Sequence, residues 1–402
     1  MPATMTAGRS RRRRTVVWRN VAFLVVSPLL AAIAVPWYAL TLGVSWIDVA
    51  ACAGLWVVVG LSVTAGYHRL FSHRAYNASA PVRAFFALFG AAALQNSVIA
   101  WSAAHRFHHR NVDTDDDPYN PQEGFFYSHM GWVMVEGARH DDTSNVPDLW
   151  NDPICRWQHE HYLSIAIGVN ATVTVALGAL TGRWLGMVVF ALLLRVVLTH
   201  HFTFLINSAA HMWGRRPWST EHSARDNWLL SLFTFGEGYH NFHHTFQADY
   251  RNGALWYNWD PSKWLIWTLA KLGLAGELKR SPVDLRLRRL FDQARRGFEE
   301  RLRAMGETVD AWRDRAANAG DAARAALARQ LDEAGSRCDE ALTELAAVRT
   351  RFQAAVRHAG SPRAEIRQLR RRLAEKSRSA RHALRAFQQL AESVAQAPLP
   401  VA

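Results

Sequence analysis

Nine of the 18 histidines in this 402-residue chain fall into four groups of regular spacing. His68 and His73 stand five apart. His105, His108 and His109 form an HxxHH box. His211 follows Asn207 by four residues, and His240, His243 and His244 form a second HxxHH box. On a helix the positions i, i+3 and i+4 share one face, so each box presents three imidazoles in one direction. Five residues span about 140° of an ideal α-helix, which suits the first pair to a helix end. Imidazole binds iron, zinc, copper and nickel. Nine such groups exceed what one ion can hold, so two ions are implied. The set holds no thiolate and no carboxylate in the ExxH pattern of soluble di-iron bundles. An all-neutral ligand set leaves both ions strongly electrophilic. A ligating imidazole normally donates its other N–H to an acceptor. Asp113, Asp115, Asp116, Asp117, Asp226, Glu237 and Asp249 are near enough in sequence to serve, and each is also at home as a solvated loop acid. His200 and His201 are open between a site role and helix packing. His129, His140, His159, His161 and His222 read as surface or supporting groups, and His358 and His382 as inert.

Membrane helices are expected to position these boxes. Four stretches, 21–42, 49–65, 163–180 and 184–206, are uncharged or nearly so, the last carrying Arg195. A bilayer crossing takes about 20 such residues. Trp18, Trp37, Tyr38, Trp46 and Trp184 stand near the ends, where an aromatic belt belongs. The connections 43–48 and 181–183 are short, whereas 67–162 and everything after Asn207 are long. Four crossings then put both long polar parts and the N-terminus on one face. Arg9, Arg11 to Arg14 and Arg19, just before the first span, make that face cytoplasmic. Residues 82–101 are a fifth apolar stretch, containing Arg83, Gln95 and Asn96. This stretch is expected to lie in the interface, because a crossing there would put histidine groups in opposite compartments. Residues 264–274 are too short to cross and are also expected at the surface.

A formal net charge of +13 first suggests a nucleic-acid partner, but its distribution argues for none. Part of the charge flanks the first span. The rest lies in the tail from Leu285, which carries net +9 and is dominated by Ala, Arg, Glu, Gln and Leu, good helix formers. Gly320, Gly335 and Gly360-Ser361-Pro362 are expected to divide the tail into three helical segments with no sustained heptad. Only Cys52, Cys155 and Cys338 occur, without CxxC spacing, so neither a zinc ribbon nor a redox pair is available. The chain reads as a basic arm (1–20), a membrane domain (21–284) and an Arg/Ala-rich helical tail (285–402).

Gly66-Tyr67-His68-Arg69-Leu70-Phe71-Ser72-His73, His105-Arg106-Phe107-His108-His109, Asn207-Ser208-Ala209-Ala210-His211 and Gly238-Tyr239-His240-Asn241-Phe242-His243-His244 together resemble the membrane-bound acyl-CoA (stearoyl-CoA type, Δ9) fatty acid desaturases. Asp117-Pro118, the stretch from Gly124 to Trp132, and Trp18-Arg19-Asn20 match as well, so the likeness runs from about Val17 to Leu274. The resemblance implies an all-α integral membrane fold: four transmembrane helices, a cytosolic histidine-rich di-iron cap and a helical C-terminal extension. Two Fe2+ ions would be held by the nine histidines, with Asn207 acting through a water. O2 is the implied co-substrate, and two hydrogens leave an unactivated acyl chain as a cis double bond. A bent apolar tunnel is implied, with Gln95, Trp101 and Thr203 lining the bend. Trp56 and Gly60 would limit chain length at its end, although ordinary helix packing explains that pair equally well. Asn20 and Asn96 match CoA-contacting positions, but Ala103-Ala104 and Glu136-Gly137 stand where the animal enzymes carry charged CoA contacts. The carrier is therefore open between CoA, acyl carrier protein and a membrane lipid, with Arg106, Arg110 and Arg139 as candidates to compensate. No HPGG haem motif occurs in the tail. The implied donor is a separate ferredoxin, cytochrome b5-like protein or flavoprotein reductase, which the basic tail could dock. The rivals are a hydroxylase with the same centre, an acyl-lipid desaturase and a histidine-rich metal transporter. The last is disfavoured because its ligands belong near the bilayer midplane on broken helices.

Overall fold

The computed structural model describes residues 14–136, 142–304, 322–358 and 362–396. Arg9, Arg11 to Arg13, Gly137, Arg139, His140, Gly320, Gly360 and Ser361 lie outside them. Helices α1 (Trp18–Thr41) and α2 (Trp46–Ser72) are followed by α3 (Ala80–Ala91), α4 (Val98–Asn111), α5 (Tyr162–Thr181) and α6 (Trp184–Met212). Among the described residues α1, α2, α5 and α6 are long and apolar enough to cross a membrane. Their outward surfaces are apolar, as at Ile33, Leu40, Leu163 and Leu180. Among the described residues, strand is confined to the antiparallel pair Asn77–Ala78 with Ala275–Gly276. The chain is an all-α integral membrane protein.

The second span runs well past its expected end at residue 65, so His68 lies inside α2 rather than after it. Hydropathy alone missed this because the last turns carry polar side chains satisfied by the protein. Arg69 donates to Glu237 at 2.8 Å, and Ser72 Oγ donates to the Tyr67 carbonyl at 2.8 Å. Those turns, Ser62–Ser72, are a π-helix.

Residues 82–101 are not the single interfacial helix expected. The segment breaks between α3 and α4, where Leu94 and Asn96 adopt left-handed φ values of 56° and 88°. Ala87, Gly90 to Ala93, Val98 and Ile99 around the break are buried. A helix end inside a protein needs partners for its free carbonyls. Arg195 and Asn170 donate to the Ala92 carbonyl at 2.9 and 3.2 Å, and His200 Nε2 lies 2.7 Å from that of Ala93. These partners come from α5 and α6, remote in sequence.

The short loops between spans are pinned together. Ser45 caps α2 in a reciprocal box with Asp48, and Asp48 accepts from Arg183 at 2.6 Å. Tyr38 is buried and accepts from Arg183 at 2.9 Å, so it leaves the expected aromatic belt. Trp18, Trp37, Trp46 and Trp184 are exposed near the span ends. Helices α7 (His240–Thr245) and α8 (Pro261–Lys271) follow. Helix α8 buries Ile266 and exposes Trp264 and Trp267.

Contacts divide the chain into two compact units, Met1–Arg216 with Glu221–Arg280, and Pro217–Thr220 with Ser281–Ala402. In the second, α9 (Val283–Ala304), α10 (Ala322–Arg357) and α11 (Arg363–Gln396) pack around Phe291, Leu331, Cys338, Leu345, Leu384 and Phe387. Gly335 does not interrupt the helix. It lies within α10, where a Cβ would sit in ordinary contact with Phe387. Leu331, Cys338 and Leu345 repeat every seven residues, a short seam that mixed Leu, Cys and Ala character hides in the sequence.

Candidate metal centre

Each histidine group is delivered by the end of a helix. The π-helical turns of α2 end with the His73 N–H donating to the His68 carbonyl at 3.0 Å, an i→i+5 bond. An i→i+5 turn brings residues five apart close together, and the two imidazoles meet edge to face with centroids 4.8 Å apart. Ser97 caps α4 through the Ala100 N–H at 3.3 Å, and the first HxxHH box occupies its last turns. His211 closes α6. Helix α7 is held by Asp226, which accepts from the Phe242 N–H at 3.0 Å, and by Asn241, which donates to the Ala224 carbonyl at 2.9 Å. Gly236, at φ 99°, makes the turn that leads into this segment, and a Cβ there would meet Asp260.

All nine imidazoles converge, and they sort into two neighbouring groups. His68, His73, His105, His109 and His243 form one; His108, His211, His240 and His244 form the other. Within each, the candidate ligand atoms lie within 4.8 Å of one another. The rings of His109 and His244, one from each group, stack at 4.2 Å. Both HxxHH boxes divide the same way. Their i and i+4 members share a group, and the i+3 member crosses to the other. Helical angles explain this: i and i+4 differ by about 40° and adjacent residues by about 100°.

The nitrogen geometry suits metal ions. Facing Nε2 atoms approach to 3.0 Å for His68–His243, 2.9 Å for His109–His243, 2.8 Å for His73–His105, 3.1 Å for His211–His240, 3.0 Å for His240–His244 and 3.3 Å for His108–His244. Two nitrogens at right angles around an ion, with bonds of about 2.1 Å, stand about 3.0 Å apart. The tautomers agree. His68 Nδ1 lies 2.8 Å from Glu237, and His108 Nδ1 lies 2.8 Å from Asp117. A carboxylate only accepts, so each Nδ1 carries a proton and each ring turns its Nε2 inward. Lone pairs converging on one point need a cation between them. His211 Nδ1 is 2.7 Å from Ser223 Oγ, whose backbone N–H donates to Asp113 at 2.6 Å, and His105 Nδ1 is 3.3 Å from the Tyr119 hydroxyl.

Burial, reinforced by neighbouring imidazoles, holds His73, His105, His109, His240, His243 and His244 well below the ordinary histidine value. They are neutral and ready to ligate. Burial would raise Glu237, but His68 and Arg69 beside it bring its carboxyl below the usual range. Arg69 is fully buried and bonds both Glu237, at 2.8 Å, and Asp260, at 2.9 Å.

The remaining expected positions scatter more. Trp56, Gly60 and Thr203 line one cavity with Val63, Phe202 and Phe235. A Cβ at Gly60 would overlap the Phe235 ring, so a larger residue there needs that ring to move. Gln95 donates to Thr203 Oγ1 at 3.0 Å. Trp101 is not one of the lining residues; it packs against the cluster that contains Val63 and stacks on His105 at 4.9 Å. Asn20 donates to the Val133 carbonyl at 2.8 Å, tying the start of α1 to the loop beyond α4. Asn96 is exposed, and its amide oxygen caps the Ser97 N–H. Asn207 lies four residues before His211 on α6. Arg106 is spent internally on Asp148 and the Phe71, Ser72 and Asn145 carbonyls, so it is not a free cation; Arg110 is exposed. His129 joins Ser208 and His201, each at 3.0 Å. Of the seven candidate acids, Glu237 and Asp117 hold imidazoles directly, and Asp113 acts through Ser223. Asp226 holds α7, and Asp249 pairs with Arg251. Sequence reading missed Ser223, Tyr119 and Arg69, because hydroxyls and arginines carry no spacing signature.

A family model described as fatty acid desaturase matches residues 45–260. Over 227 residues the chain is 41% identical to acyl-CoA desaturase 1 of Saccharomyces cerevisiae, covering 56% of this chain and 44% of that protein. It is 44% identical over 248 residues to the probable acyl-CoA desaturase of Schizosaccharomyces pombe, covering 61% and 51%. It is 37% identical over 285 residues to stearoyl-CoA desaturase 5 of Homo sapiens, covering 68% and 84%. The chain thus spans about half the length of the two yeast relatives.

Proposed function

This chain belongs to the fatty acid desaturase family, and we propose that it is an O2-dependent desaturase placing a cis double bond, at Δ9, in a saturated acyl chain carried on CoA. The observation that carries this reading is the pair of adjacent, buried, all-imidazole groups of five and four. One Fe2+ ion is assigned to each group, with Asn207 acting through a water. Such an iron pair supplies the O2 activation that an unactivated C–H bond requires. The balance is O2, two hydrogens from the chain, two electrons and two protons, giving the double bond and two waters.

The protein's own residues do the rest. Glu237, Asp117 and Ser223 hold the Nδ1 side of three imidazoles, so the Nε2 side faces inward. Trp101 lies flat on His105 as a wall of the site. Trp56, Gly60 and Thr203 line the apolar cavity we assign to the tunnel end, and Gln95 orients Thr203. Asn20 and Asn96 are assigned to the carrier. Electrons come from a separate ferredoxin, cytochrome b5-like or flavoprotein donor. The termini and histidines face the cytoplasm, on the argument of the arginines before α1. The three-part organisation, arm, membrane domain and tail, belongs to the same proposal.

A second carrier has a specific observation in its favour. Ala103 is buried where the resemblance calls for a charged CoA contact, and Arg106 is already engaged. An acyl lipid or acyl carrier protein fits that loss of charge. Expression in a desaturase-deficient host, with mass spectrometry of its lipids, tests these readings together. Cis Δ9 products spread over all headgroups support the CoA form. Products confined to one glycerolipid support a lipid carrier, and hydroxy acids the hydroxylase. No new product from membranes holding the iron-loaded protein removes the proposal. O2-dependent consumption of reductant separates any of these from a metal transporter.

A further inference from the structure

A tenth imidazole reaches the four-membered group. Among the described residues, both ring nitrogens of His222 are buried without a hydrogen-bond partner, whereas His129, His159, His200 and His201 each have one. The His222 ring centroid is 5.2 Å from that of His244. That falls in the range found inside the group: 4.4 Å for His240–His244, 5.0 Å for His108–His244 and 5.3 Å for His211–His244. The backbone that carries it is pinned to the helices bearing those ligands. Ser223 meets His211 Nδ1 at 2.7 Å and donates to Asp113. The Ala224 carbonyl accepts from Asn241 at 2.9 Å. The Arg225 N–H donates to Ala210 at 2.7 Å, and its carbonyl accepts from the His240 N–H at 3.3 Å.

Burying two polar ring atoms without partners is unfavourable, and an imidazole held beside four others is a preformed donor. We propose that His222 is a fifth imidazole ligand of the four-histidine group, making the two groups equal in number. The inference rests on the di-iron reading above. His222 stands outside the set whose ligand atoms already lie within 4.8 Å of one another. Ligation therefore calls for rotation about its side-chain bonds, with the pinned backbone unchanged.

The full-length protein, wild type, His222→Phe and His222→Gln, would be loaded with 57Fe. Iron per chain, release to a chelator and the Mössbauer spectrum would then be measured. Both variants are expected to release one of the two irons about tenfold faster or more, with one Mössbauer doublet altered and the other unchanged. Wild-type release and spectra in both variants would overturn the assignment. If the phenylalanine variant fails to fold, the glutamine variant alone carries the comparison. Wild-type protein that holds no iron would instead bring down the di-iron reading, a result distinct from two irons that ignore His222.

Discussion

An imidazole offers a metal one nitrogen at a time, and the partner of the other nitrogen decides which. Asp117 fixes that choice for His108, and Glu237 fixes it for His68. Asp117→Asn keeps the size but loses the charge that fixes the tautomer. It is expected to weaken iron binding at the four-histidine group about 10- to 100-fold, read by chelator competition, with the other group unaffected. Six of the imidazoles also carry a pH signature, being held far below their ordinary value mainly by burial. In the unfolded chain they take up protons as the pH falls through about 6.5; in the folded, metal-free chain they do not until much lower. The unfolded state therefore binds more protons in that window, and stability rises with pH. Metal-free protein should show its full melting temperature above about pH 6.5 and lose it progressively below. A flat melting profile from about pH 8 to 5 would contradict the neutral-imidazole description.

Two departures from regular helix build the site. The π-helical end of α2 brings residues five apart onto one face, which an α-helix would set about 140° apart. The break between α3 and α4 starts a fresh helix at Val98, aimed so that its last turns carry the first HxxHH box inward. Arg195 makes that break tolerable by donating to the free Ala92 carbonyl and to Asn170. Its charge in a span is thus a helix-end partner inside the protein, not a lipid-facing defect. In the cavity wall, Gly60 and the Phe235 ring occupy adjoining space. On the tunnel proposal, Gly60→Leu should shift products toward shorter acyl chains by roughly two carbons or more, since each added methylene group of the variant fills substrate space. An unchanged chain-length distribution in the lipids would assign Trp56 and Gly60 to packing alone.

At the level of the whole molecule, an apolar exterior on four spans supports a polar interior at the helix ends. The nine imidazoles are drawn from every span except α1 and α5, with the rest from the segments between and after them. The tail has its own core and its own helices, and none of the nine histidines lies in it. Removing residues 290–402 should therefore leave two irons per chain in place. If the basic tail docks the donor, the same deletion should raise the KM for purified donor several-fold, with a steeper salt dependence in the intact chain. Unchanged donor affinity would reduce the tail to a helical appendage.

The sequence by itself determined the elements and their chemistry. Spans are legible because apolar length is a local property, and each HxxHH box is legible because one helix turn brings its members together. The membership of the two groups was not legible. His108 and His109 are neighbours in the chain and belong to different groups, as do His243 and His244. Only the packing of α2, α4, α6 and α7 decides which lone pairs meet. The same holds for the reach of α2, the break at residues 92–97 and the roles of Ser223, Tyr119 and Arg69. Each depends on a hydrogen bond between residues remote in sequence or on a conformation those bonds sustain, and periodicity cannot see a partner that arrives only when the chain folds.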